Sequence, residues 1–127
     1  MSDLKKILHV DDDADIREIA QLSLEHIGGF ELAQCSSGAE ALDMAPKFRP
    51  QLFLLDVMMP QMSGDVLWQE LSRDPDMADI PVVFMTAKVE RCYVENLVSK
   101  GALAVVEKPF DAIELPDEIR RIWDRRG

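Results

Sequence analysis

Short β-prone apolar runs alternate with stretches of helical apolar spacing along the whole chain, and few architectures accept that order. Lys6-Ile7-Leu8-His9-Val10 is the first run, ended by Asp11, Asp12 and Asp13. From Asp13 to about Ile27, the residues Ile16, Ile19, Ala20, Leu22, Leu24 and Ile27 recur at helical spacing. Asp13 or Asp15 can cap this helix, a cap being the better reading of Asp13 than a part in the acidic cluster, and Gly28-Gly29 can end it. Phe30 to Cys35 reads as a second strand. Ser36-Ser37-Gly38 opens a helix carrying Ala41, Leu42 and Ala45, stopped near Pro46 or Pro50. Leu52-Phe53-Leu54-Leu55 is apolar throughout, the habit of a strand buried on both faces of a parallel sheet. A helix over about Ser63 to Ser72 places Val66, Leu67 and Leu71 inward. Ile80 to Thr86 is a fourth strand, with Pro81 near its start where a missing N–H is tolerated. Glu90 to Lys100 reads as a helix ended by Gly101, and Ala104-Val105-Val106 as a fifth strand. The last helix reaches about Arg125, with Pro116 in its first turn.

Strands alternating with helices in this way predict a doubly wound α/β sheet, with parallel strands and right-handed crossovers. The 127 residues fit one domain, expected to span 1–127, and suffice to bury a core without a metal or disulfide staple. Cys35 and Cys92 form no CxxC or metal spacing and read as reduced thiols. Asp and Glu number 24 against 14 Lys and Arg, a net charge of −10. That balance repels a phosphate backbone and anionic lipid, so neither direct nucleic-acid binding nor membrane docking is expected. The apolar start is too short and too soon charged for a signal peptide, and the longest apolar stretch is broken by Asp56. A cytoplasmic location is the expectation.

In doubly wound sheets, ligands sit beyond the carboxyl ends of the strands. Asp11 and Asp12 follow the first strand, Asp56 the third, Thr86 ends the fourth and Lys108 follows the fifth. Singly, an Asp there is a turn residue or cap, a Thr is structural, and a Lys is a solvated charge. Together, converging carboxylates repel unless a divalent cation or an ammonium compensates them. Carboxylate oxygens are the hard ligands that Mg²⁺ prefers, so this edge reads as a Mg²⁺ site facing a hydroxyl and an ammonium.

The chain from Lys5 to about Arg126 resembles the receiver domain of two-component response regulators, nearest the single-domain chemotaxis type. The matching pieces are Val10-Asp11-Asp12, Asp56-Val57-Met58-Met59-Pro60-Gln61-Met62-Ser63-Gly64, Thr86-Ala87 and Lys108-Pro109-Phe110. The resemblance implies a flavodoxin-like fold with a five-stranded parallel sheet, order 2-1-3-4-5, and helices on both faces. It implies that Asp56 is the phosphoacceptor, served by a sensor histidine kinase or a histidine phosphotransfer protein. Asp11, Asp12, Asp56 and the backbone carbonyl of Met58 would hold Mg²⁺. Lys108, the Thr86 hydroxyl and the Ala87 N–H would take phosphoryl oxygens, and Lys108-Pro109 would be a cis peptide. Phosphorylation would alter the face of helix four, strand five and helix five, read by an unknown downstream protein. The chain would act as a monomer or as a phosphorylation-dependent dimer. It would catalyse only its own phosphotransfer and dephosphorylation, and so is not expected to be an enzyme acting on a metabolite.

One position departs from the family. Three residues before Lys108, where the family often carries an aromatic that turns inward, stands Val105. Signalling should then rest on Thr86 and on movement of helix four. Met58 and Lys88 flank the site, and Trp68 and Trp123 read as packing residues. His9 and His26 read as structural. A Mg²⁺-dependent aspartyl phosphohydrolase of the haloacid-dehalogenase type needs Asp-x-Asp, and Asp56-Val57-Met58 lacks the second acid. An EF-hand beginning at Asp11 would need Gly and Glu where Ile16 and Leu22 stand. No GxxxxGK[ST] or GxGxxG occurs, and the first loop is acidic rather than phosphate-cradling, which disfavours a flavin phosphate. A receiver that binds partners without phosphorylation stays open, as does excision from a larger regulator.

Overall fold

The computed structural model describes residues 3–87 and 91–126, with backbone alone at 91–92. Lys88 and the Cys92 side chain therefore lie outside the described residues. Strands β1 (Lys6–Val10), β2 (Glu31–Cys35), β3 (Leu52–Asp56), β4 (Val82–Thr86) and β5 (Ala104–Glu107) form one sheet of order β2-β1-β3-β4-β5. All its pairings are parallel, in the register His9↔Gln34, Val10↔Leu55, Asp56↔Met85 and Thr86↔Glu107. The helices are α1 (Ala14–Gln21), α2 (Gly38–Phe48), α3 (Gly64–Leu71), α4 (Arg91–Ser99) and α5 (Leu115–Asp124).

Alternation along each strand separates two cores. Leu8, Val10, Phe53, Leu55, Val82 and Phe84 pack with Ala41, Leu67 and Leu97 of α2, α3 and α4. Ile7, Leu52, Leu54, Val83, Met85 and Val106 pack with Leu24, Leu115, Ile119 and Trp123 on the other face, under α1 and α5. Strand β3 is buried at every position, which its unbroken apolar run required. Cys35 is a free thiol, and burial with the Glu40 charge beside it pushes it up to about 12, where it is inert.

Local chemistry sets the helix ends. Asp13 caps α1, accepting from the N–H groups of Asp15 at 2.9 Å and Ile16 at 3.4 Å. Ser37 caps α2 and Glu40 reaches back to the Ser36 N–H, a reciprocal pair of bonds. Of the two expected stops of α2, Pro46 is passed over on the exposed side. The helix ends only at Arg49, which turns left-handed (φ 54°) ahead of Pro50.

The first helical stretch differs from its periodicity. Beyond Gln21 it continues as a π-helix over Leu22–Ile27, whose i→i+5 bonding shifts the inward stripe. Ser23 and Leu24 are buried, while Ile19, Leu22 and Ile27 stay exposed. In α3, Val66 likewise faces outward, and Leu67 and Leu71 carry the packing. The π-helix is tied to the segment before α5, where the Ser23 hydroxyl donates to the Ala112 carbonyl at 2.5 Å.

Candidate functional site

The carboxyl edge of the sheet gathers what the spacing placed there. A carboxylate oxygen from each of Asp11, Asp12 and Asp56 lies within 4.8 Å of the other two. Asp11 and Asp56 are buried, and Asp12 is exposed at the mouth. Lys108 reaches in from the segment after β5, its ammonium 2.7 Å from Asp11 Oδ2 and 3.0 Å from Asp56 Oδ1. The Lys108 N–H donates to the Thr86 carbonyl at 2.9 Å, just beyond the Thr86↔Glu107 pair, and Lys108-Pro109 is cis.

Each acidic turn is held by its own backbone. Asp11 Oδ1 accepts from the Asp13 N–H at 2.9 Å, and Asp56 Oδ1 from the Met58 N–H at 3.4 Å. After β3 the Gly64 N–H donates to the Val57 carbonyl at 2.9 Å, and a Cβ on Gly64 would collide with the Asp56 carbonyl. Glycine is required there for α3 to begin so close to the strand end. Thr86 is buried at the end of β4, with Ala87 beside it in the open. Met58, two residues beyond Asp56, is 69% exposed.

The electrostatics follow from burial and crowding. Burial pushes the Asp56 carboxyl up to about 6; the Asp11 charge acts with it, and the Lys108 ammonium opposes both. Burial disfavours the Lys108 charge, but its hydrogen bonds to Asp11 and Asp56 prevail and hold its pKa above the usual range. Carboxylates so placed supply hard oxygen donors on an open side, and that donor set fits Mg²⁺.

A family model described as the response regulator receiver domain matches residues 7–120. The chain belongs to the receiver domain family. A probable transcriptional regulator ycf27 of Porphyra purpurea is 40% identical over 95% of this chain and 48% of its own length. The phosphate regulon transcriptional regulatory protein PhoB of Pseudomonas aeruginosa is 36% identical, over 97% of this chain and 53% of its own. The receiver thus spans about half the length of the curated relatives it matches. Among solved structures, the chemotaxis protein CheY4 of Vibrio cholerae superposes with a TM-score of 0.85 at 27% identity, covering 94% of this chain and 98% of that one.

Asp11, Asp12, Asp56 and Lys108 of this receiver converge, and Thr86 and Ala87 stand at the end of the neighbouring strand. Two residues with no motif join them. The Arg17 guanidinium donates to the Asp11 carbonyl at 2.7 Å, and the Gln34 amide donates to the Arg17 carbonyl at 2.8 Å. A half-buried Gln in the middle of β2, at the register of a buried His, is the only sequence signal they leave.

Proposed function

We propose that Asp56 is the phosphoacceptor of this receiver, taking a phosphoryl group from the phosphohistidine of a kinase or phosphotransfer protein. An ionised Asp56 oxygen attacks phosphorus in line, the P–N bond breaks, and the donor imidazole leaves with the electron pair. Asp11, Asp12 and Asp56, with the Met58 carbonyl, hold Mg²⁺, which when bound neutralises charge on the phosphoryl oxygens. Lys108 pairs with one phosphoryl oxygen, and the Thr86 hydroxyl and the Ala87 N–H take the others. One observation carries the reading: a single ammonium bridges two buried carboxylates at an edge where a third stands exposed. Such an arrangement has no use in the core and is ready to exchange partners when an anion arrives.

The whole of 1–127 acts as one receiver domain, a cytoplasmic switch that also hydrolyses its own phosphoaspartate. Exposed Ile19, Leu22 and Ile113 lie on segments joined by the Ser23–Ala112 bond and suit docking of a donor helix. Thr86 shares its sheet face with Phe84 and Val105, on the side where Tyr93 of α4 packs. Its movement toward the phosphoryl group therefore reaches α4 and β5 without an aromatic at Val105.

Intact mass after incubation with Mg²⁺ and acetyl phosphate tests this. A gain of one phosphoryl group that needs Mg²⁺ and is absent in Asp56→Asn is expected. No gain with a competent kinase as donor would replace this reading with a partner-binding receiver that works unphosphorylated. Lys108→Ala should still gain the group but leave the amide spectrum of α4 and β5 unmoved. A full spectral response in that variant would remove Lys108 from the switch.

A further inference from the structure

The polar chain beneath α1 has a direction that its hydrogen bonds fix. The Arg17 carbonyl can only accept, so the amide nitrogen of Gln34 must face it, at 2.8 Å. That same nitrogen lies 3.1 Å from His9 Nδ1, which therefore accepts, and the ring proton sits on Nε2. His9 is fully buried, and its Nε2–H has no hydrogen-bond partner among the described residues. A buried orphan donor is costly, so His9 is a poor choice for packing alone. Following the chain outward, the Arg17 guanidinium donates to the Asp11 carbonyl at 2.7 Å. The sequence of contacts is thus β1 to β2 to α1 and back to the turn that carries Asp11 and Asp12.

We infer that Gln34 and Arg17 are positioning residues, which together with His9 clamp the β1–α1 turn so that Asp11 and Asp12 face Asp56 at cation-binding separation. This rests on the reading of Asp11, Asp12 and Asp56 as Mg²⁺ ligands. Gln34 is held by the sheet through its pairing with His9, so it fixes the Arg17 carbonyl, and with it the helix end that aims the guanidinium. Neither residue would be a ligand to the cation. Outer partners of this kind set how well ligands are presented, and losing one costs about tenfold or more in metal affinity.

Isothermal titration with Mg²⁺ separates the possibilities, with thermal unfolding run beside it. Gln34→Met keeps length and charge while removing both donors, and should weaken Mg²⁺ binding about tenfold. Its deficit in phosphoryl uptake from acetyl phosphate should close as Mg²⁺ is raised. Arg17→Met gives the sharper sign. Removing a cation near the site tightens Mg²⁺ binding if Arg17 acts only through charge, and weakens it if Arg17 holds the turn. Arg17→Lys, which keeps a donor and the charge, should recover part of the loss. If Gln34→Met fails to fold, the Arg17 pair decides alone. Wild-type Mg²⁺ binding with unchanged or tighter affinity in the folded variants overturns the clamp and spares the site. No Mg²⁺ binding by the wild type overturns both.

Discussion

The two faces of the sheet bury different things. Under α2, α3 and α4 lie Leu8, Val10, Phe53, Leu55 and Phe84, an apolar slab. Under α1 and α5, Ile7, Leu54 and Met85 share the interior with His9 and Ser23, and the same face leads out to Asp11 and Asp56. Apolar contact is non-directional, so a helix can slide on it at small cost. Buried polar groups must be bonded in one geometry, and a network of them fixes position. The carboxylates for which the proposed cation site requires fixed separation stand on the directional face. Thr86, which the proposed switch requires to move, shares the apolar face with Phe84. On that proposal, rigidity and mobility are divided by the alternation of side chains along single strands.

The largest effect that tests this division is on the apolar slab. Phe84 is fully buried and meets Trp68 edge-on, with ring centroids 5.5 Å apart. Phe84→Ala should cost about 4 kcal/mol, lowering the melting temperature by more than about 10 °C. Mg²⁺ affinity of the folded variant, read by calorimetry at low temperature, should be unchanged. A slab that also set the cation site would lose affinity in step with stability, and the two faces would not be separable.

How much of this division could be read in advance depends on the scale of the signal. The succession and type of the strands were legible because Leu52–Leu55 and Val82–Met85 are apolar without a break, and each is followed by a helical period, whereas their order across the sheet came only with the family resemblance. Asp11, Asp56, Thr86 and Lys108 were legible because a parallel sheet brings all strand ends to one edge, whatever the loops do. The π winding over Leu22–Ile27 was not, since one residue of drift per turn leaves the same apolar letters in place. Gln34 and Arg17 were not, because a polar residue in a strand and a basic one on a helix look solvated until the register sets them together. The length of α2 turned on whether Pro46 faced solvent, a matter of helical phase rather than composition.

A second effect lies on the polar face. Burial pushes the His9 imidazole down to about 4 from 6.5, with Arg17 and Lys108 adding to the lowering and Asp11 opposing it. The folded state therefore prefers neutral His9, and its share of stability is present above pH 6.5 and lost as pH falls through about 4. His9→Leu cannot take up that proton. Denaturant curves of variant and wild type should diverge by roughly 3 kcal/mol between pH 7 and the acid limit, in favour of the variant. A constant difference across that range would mean that the ring protonates freely and that its pocket is not closed.

Asp56 gives a smaller effect of opposite sign. Its carboxyl is held near 6 against an ordinary 3.8, so the folded state binds this proton more tightly than the unfolded chain does. The stability of the neutral form is complete below pH 3.8 and is lost as pH rises through about 6. At pH 8 the wild type carries a buried, ionised Asp56 beside Asp11, and Asp56→Asn removes the cost of burying that charge together with the repulsion. The variant should be more stable by on the order of 1 kcal/mol, or about 4 °C, and the gap should close in acid. Mg²⁺ should narrow the gap from the other side, because the wild type offers three carboxylates to the cation and the variant two. Phosphoryl uptake without a kinase should fall as pH drops through the range where Asp56 gains its proton, since a neutral carboxyl is no nucleophile. A melting temperature of Asp56→Asn equal to the wild type at pH 8, with and without Mg²⁺, would show that Lys108 alone already neutralises the pair. The edge would then be a closed ion cluster, with nothing gained by admitting a cation.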